Sequence, residues 1–308
     1  MPVPIVAVVG FTASGKTELS LDLAERLDAE IVNTDAMQVY RGMDIGTAKL
    51  PPAERRGVPH HLLDLLSVRE PATVAEFQAW ARDSVARLRG RGTIPVLVGG
   101  SALYLRAVVD EFEFPGTDPS VRARWEAELD EVGAPALHAR LAERDPEAAE
   151  RIRPDNGRRV VRALEVGEIT GRPFSASLPR QEYVDPHTVQ LGLAIDRPTL
   201  DERIAQRVDA MFAAGFVAEV ERLLDEGLAE GRTASRAIGY REVMAHLAGE
   251  LTLDEARERT VIATRQFARR QDAWFRKDPR IHWIPWDASD RADLAEALVR
   301  KIGRAEPG

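Results

Sequence analysis

The chain opens on an unbroken apolar run, IVAVV at Ile5–Val9. A run of this kind lacks the alternation of a half-exposed strand and predicts a strand buried on both faces of a parallel sheet. After a glycine-bearing turn, Leu19, Leu23 and Leu27 recur at spacing four, which predicts a helix over Lys16–Leu27 with those leucines facing inward. Ile31 and Val32 begin a second short strand ending near Asp35, and 95–98 form a third that runs into Gly99-Gly100. Apolar runs at 189–195 and 281–286 read as later strands. Strands alternating with helical stretches predict a doubly wound, mainly parallel α/β sheet.

The stretch 119–186 has a different texture, rich in Arg, Glu and Ala, helical in period and without a strand pattern. Pro115-Gly116 precedes it, and Pro179 and Pro186 close it, which is boundary punctuation. The expected organisation is a sheet-bearing core of 1–118 and 187–308, interrupted by a helical insertion over 119–186. After Pro198 the chain becomes mostly helical, over 199–227 and 253–277.

Composition narrows the class. A length of 308 residues with 44 % hydrophobic positions supports one full core with an appendage. The sequence has no eighteen-residue apolar run, so no membrane span is expected. The opening MPVPIVAVVG lacks the basic region and cleavage site of a secretory signal. Zero cysteines remove disulfides, thiolate metal sites and cysteine nucleophiles, and fit a reducing cytoplasm. The net charge of −8 argues against indiscriminate coating of nucleic acid. A local basic site remains open, because 257–280 carries eight Lys/Arg against three Asp/Glu. No extended apolar seam is left over, so a monomer is expected.

The strongest chemical signal is GFTASGKT at 10–17, a full phosphate-loop pattern between a buried strand and a helix. Gly10 and Gly15 let the backbone of Phe11, Thr12, Ala13 and Ser14 curl so that its amides point at an anion. The helix N-terminus adds partial positive charge. Lys16 supplies a full charge, and the Thr17 hydroxyl is a natural ligand for Mg²⁺. The fold expectation becomes a doubly wound sheet of the P-loop NTPase type. Asp35 lies at the carboxyl edge of the second strand, where ligands of such sheets bind. It could meet a metal or an acceptor group, or cap a turn. The strand over 95–98 ends in Gly99-Gly100-Ser101 and not in a carboxylate, which argues against nucleotide hydrolysis. His60 and His61 are expected to precede an apolar strand; they have no third ligand at metal spacing and read as structural or cavity-lining.

Longer blocks are more specific than the loop. EIVNTDAMQVYRGMDIGTAK (30–49), PHHLLD (59–64), LVGGSALYL (97–105), RRVVRALEV (158–166), TGRP (170–173), SRAIGYRE (235–242) and TRQFARRQDAWFR (264–276) follow in order over nearly the whole length. In these blocks the chain resembles the bacterial tRNA dimethylallyltransferases, also called tRNA isopentenyltransferases. The resemblance implies transfer of a dimethylallyl group from dimethylallyl diphosphate to the exocyclic amine of the adenosine 3′ of a tRNA anticodon. The loop 10–17 would hold the diphosphate, with Mg²⁺ on Thr17. Asp35 would be the general base, while Lys16, Arg203 and Arg207, the last two at spacing four, would stabilise the leaving charge. For the anticodon stem-loop the resemblance points to Asp35, Ala36, Met37, Gln38, Ser101, Arg122, Arg236 and the clusters Arg158, Arg159, Arg162 and Arg265, Arg269.

Three positions depart from the family pattern: Phe11 where Pro is usual, Ala36 for Ser, and Ser101-Ala102 for Thr-Gly. Phe11 points from a loop whose backbone does the binding, so the chemistry is expected to survive, with the shape of the donor pocket open to change. The competing readings are a small-metabolite kinase with Asp35 activating a hydroxyl, a nucleotide-gated RNA-binding module, and a prenyltransferase acting on free adenine nucleotides.

Overall fold

The computed structural model describes residues 2–112, 114–177 and 181–302. It divides into two compact units, Met1–Val109 with Tyr183–Gly308, and Asp110–Glu182.

The first unit is built on six strands, β1 (Ile5–Val9), β2 (Ala29–Asn33), β3 (His60–His61), β4 (Ile94–Gly99), β5 (Thr188–Ala194) and β6 (Ile281–Pro285). They lie in the order β3-β2-β4-β1-β5-β6, and every pair is parallel. The helices of this unit are α1 (Lys16–Leu27), α2 (Val74–Gly90), α3 (Ala102–Val109), α8 (Arg197–Ala213), α9 (Phe216–Asp225), α10 (Tyr240–Leu247), α11 (Leu253–Phe275) and α12 (Arg291–Ile302). The numbers between belong to the second unit.

The unbroken apolar character of β1 has a direct cause. Successive side chains point to opposite faces, and both faces are covered. Ile5, Ala7 and Val9 join a core with Phe77 and Leu88 of α2, Leu105 of α3, Phe216 of α9 and Tyr240 of α10. Val6 and Val8 join the opposite core, with Leu19 and Leu23 of α1 and Ala295 of α12. This bears out the doubly wound sheet.

Three local readings are corrected. His60 and His61 do not precede a strand; they are the two-residue edge strand β3, paired with Ile31 and Val32. The helical stretch expected over 199–227 breaks at Gly215, whose φ of 98° ends α8 and opens α9. The second unit ends at Glu182, so Pro186 lies in the sheet-bearing unit, where the Val184 amide donates to the Val109 carbonyl at 2.9 Å. Pro179 lies outside the described residues.

The second unit contains α4 (Pro119–Val132), α5 (Ala134–Arg144), α6 (Pro146–Arg151) and α7 (Gly157–Thr170). Its own core is Trp125, Leu137, Leu141, Val160, Val161 and Leu164. Among the described residues no helix is long and apolar enough to cross a membrane.

Candidate active site

The phosphate loop leaves the carboxyl end of β1. Gly10 (φ 135°) and Gly15 (φ 96°) take conformations that glycine reaches without a Cβ penalty, and Ala13 is held at φ 64° between them. α1 therefore starts on Gly15, with its amides turned to the loop. The Ser14 hydroxyl is buried and has no hydrogen-bond partner, a donor left over for whatever the loop holds. Lys16 folds back so that its Nζ donates to the Phe11 carbonyl at 2.5 Å. Burial, and secondly the Arg207 charge, lower its pKa to about 7, while Asp35 acts in the opposite sense.

α8 brings two more cations to the loop. The Arg203 Nε donates to the Ala13 carbonyl at 2.8 Å, with its guanidinium 4.6 Å from the centre of the Trp286 ring. Arg207 donates to the Thr12 hydroxyl at 3.3 Å. Neither is spent on the nearby acids: Asp201 pairs with Arg197 and Arg265, and Asp209 with Arg257. Burial and the neighbouring Arg203 destabilise the Arg207 cation, so an arriving anion relieves both effects. Lys16, Thr17, Arg203 and Arg207 line a cleft of about 430 Å³ on this side.

Asp35 stands just past β2. Its Oδ1 accepts from the Met37 amide at 2.9 Å, and Asn33 straps the turn, accepting from the Asp35 amide (2.9 Å) and donating to its carbonyl (3.0 Å). Burial raises the Asp35 carboxyl pKa; the Met37 amide and then Lys16 oppose that rise. Two cavities meet here. One, of about 100 Å³, is lined by Lys16, Thr17, Asp35, Gln38, His60 and Gln271 among others. The other, of about 340 Å³, is walled by Met37, Met211, Phe216, Tyr240 and Phe267, with Ser101 and Arg236. Asp35, Thr12, Thr47, Ala48 and Arg207 line both. Phosphate chemistry on one side and an apolar space on the other thus share one carboxylate.

The remaining sequence-derived residues are distributed as follows. Ala36 and Met37 line the larger cavity, and Gln38 the smaller one. Arg265 donates to the Asp201 carbonyl at 3.0 Å and ties α11 to α8, whereas Arg269 is exposed. In the helical unit Arg158 and Arg159 are exposed. Arg122 and Arg162 both bind the buried Glu165 carboxylate, Arg162 at 2.9 Å. Phe11 lines neither cavity. Its ring is 1 % exposed and stacks on Trp283 at 6.0 Å.

Sequence reasoning missed Gln271. Its Oε1 accepts from the Thr12 amide at 3.0 Å and its Nε2 donates to the Gly100 carbonyl at 2.8 Å, clamping the loop to the end of β4. A Cβ at position 100 would lie 2.2 Å from the Gln271 Nε2, so any larger residue there would displace the clamp. The only sequence signal was a glutamine on the inward face of a basic helix.

An all-parallel sheet with a phosphate loop at its carboxyl edge, carrying a carboxylate between an anion cleft and an apolar cavity, defines a phosphate-loop α/β enzyme of group-transfer type. The IPP transferase family model matches residues 38–278. A tRNA dimethylallyltransferase of Nocardioides sp. is 74 % identical over 296 residues, 96 % of each chain, and one of Kineococcus radiotolerans is 62 % identical over 307 residues, 97 % of this chain and 96 % of that one. Among solved structures, the tRNA isopentenylpyrophosphate transferase of Bacillus halodurans superposes with a TM-score of 0.71 at 38 % identity, covering 97 % of this chain and 96 % of that one. A eukaryotic dimethylallyltransferase acting on tRNA gives a TM-score of 0.81 at 26 % identity, with 97 % and 78 % covered. The chain belongs to the IPP transferase family.

Proposed function

We propose that this protein transfers a dimethylallyl group from dimethylallyl diphosphate to the exocyclic amine of the adenosine 3′ of a tRNA anticodon. The observation that carries the reading is Asp35, whose carboxylate borders both the phosphate-side cavity and the apolar one. The diphosphate lies against the loop amides, Lys16, Arg203 and Arg207. The adenine, drawn out of its stack, enters the larger cavity. The amine nitrogen forms a bond to the allylic carbon, the carbon–oxygen bond to diphosphate breaks, and Asp35 takes the amine proton. An aromatic amine is a poor nucleophile, so this proton removal contributes about 10²–10⁴-fold. The raised Asp35 pKa makes it a stronger base than a surface carboxylate. The cationic cluster stabilises the negative charge that builds on the departing diphosphate.

The donor set fits Mg²⁺. The Thr17 hydroxyl is a hard oxygen ligand on the phosphate-side cavity, and a diphosphate supplies the rest. Among the described residues no group of three His, Cys, Asp or Glu could hold a metal alone, which suits an ion shared with its substrate. When bound, the ion would neutralise diphosphate charge. Arg158 and Arg159 of the helical unit and Arg269 of α11 present unpaired charge for the RNA backbone.

Labelled dimethylallyl diphosphate with an anticodon stem-loop tests the reading. Label should enter the RNA and not AMP, and no ATP should be consumed. Asp35→Asn should keep stem-loop affinity and lose turnover by the same 10²–10⁴-fold, roughly; near-normal turnover would remove Asp35 from the role of base.

A further inference from the structure

One buried acid takes no part in this chemistry. Glu219 of α9 is 6 % exposed, and its carboxylate is met by four donors and no cation. Oε2 accepts from the amides of Asp44 (3.1 Å) and Ile45 (2.7 Å). Oε1 accepts from the Gly46 amide (3.1 Å) and the Tyr240 hydroxyl (2.6 Å). Three consecutive amides on one carboxylate fix a loop as a helix N-terminus fixes an anion. The loop is also pressed inward. A Cβ on Gly46 would sit 2.2 Å from the Phe216 ring and 2.6 Å from the Tyr240 ring, which pack edge to face.

The residue after this loop reaches the site. Thr47 lines both cavities, and its carbonyl accepts from the Gln38 Nε2 at 3.1 Å. A carbonyl can only accept, so the amino end of the Gln38 amide must face Thr47. That leaves Oε1, an acceptor, as the end Gln38 can offer in the smaller cavity, which it shares with Asp35, the residue that borders both cavities and meets the amino group of a base seated in the larger one. An acceptor favours an edge that offers an amino group.

We infer that Glu219 is a positioning residue for base selection: by holding 44–46 it sets the Thr47 carbonyl, which in turn orients Gln38 to accept from an amino-bearing purine. The inference rests on the reading proposed above and assigns the basis of its selectivity.

The test uses the full-length protein and two stem-loops, one with adenosine at the target position and one with purine riboside, which lacks the amino group. Wild type should bind the adenosine loop about tenfold more tightly, the worth of one buried hydrogen bond. Glu219→Gln, in which an amino group confronts backbone donors, should reduce that ratio to about twofold or less while leaving inorganic pyrophosphate binding within about twofold. Tyr240→Phe removes one donor of four and should give an intermediate ratio, and it serves as the reporter if Glu219→Gln does not fold. Gln38→Leu should match Glu219→Gln. Variants that lose thermal stability yet discriminate like wild type would reduce Glu219 to a structural role and overturn the inference. Wild type that prenylates the adenosine loop but does not discriminate overturns it equally. Failure of wild type to transfer label to RNA would instead strike the proposed function.

Discussion

The protonation state of Lys16 gives a quantitative handle on the anion site. Its ammonium is buried beside Arg207, and these two effects lower its pKa to about 7 against the support of Asp35. An anion on the loop supplies the missing counter-charge and restores the ammonium. The sign follows: the bound form carries the proton, and the free form gives it up as pH rises through 7, so anion affinity falls with rising pH. At pH 8 the free lysine is about nine-tenths neutral, and binding must take up about 0.9 proton, against about 0.1 at pH 6. Above pH 7 affinity should drop by up to about tenfold per pH unit, or about 1.4 kcal/mol. Sulfate is the probe of choice because it has no proton to lose in this range. Calorimetry in two buffers of different ionisation enthalpy reads the uptake directly. Asp35→Asn removes the supporting charge, so the midpoint should move to lower pH. Equal affinity at pH 6 and pH 9, with no buffer dependence, would refute the desolvation argument.

Four other outcomes follow from packing and surface charge. Gly100→Ala puts a Cβ 2.2 Å from the Gln271 amide nitrogen, breaks both of its buried hydrogen bonds and should cost about 1–3 kcal/mol in urea denaturation. Phe11→Ala empties a 1 % exposed site against Trp283 and should cost about 3–5 kcal/mol by thermal unfolding, while the surviving native fraction still binds sulfate. Arg269→Ala removes an exposed charge, so the slope of log K against log salt for stem-loop binding should fall by about 0.7–0.9 with the melting temperature unchanged. Arg265→Ala also cuts the tie to the Asp201 carbonyl and should lower both.

What could be read along the chain was what depends on near neighbours. β1 announced itself because both faces are buried, and the loop because its glycines and Lys16 lie within eight residues. The edge strand His60–His61 was invisible, since two residues carry no period. The break at Gly215 hid inside a continuous helical pattern. Partners brought together by folding were the larger loss. Gln271 meets Thr12 across 259 positions, Glu219 meets Gly46 across 173, and Glu165 meets Arg122 across 43. No spacing rule reaches that far, so the roles of Arg122 and Arg162 as partners of an internal acid could be read only from coordinates. The packing of Phe11 was hidden for a related reason: Trp283, the ring it stacks on, comes from the edge strand β6.

The hydrogen bond from Val184 to Val109 has an architectural consequence. The two backbone points that flank the helical unit touch, so seventy-odd intervening residues form a detour spliced into an otherwise closed circuit. Replacing 110–182 by a short turn should leave the sheet-bearing half able to fold by itself. Evolution, or an engineer, can therefore exchange the helical unit without redesigning the sheet-bearing one.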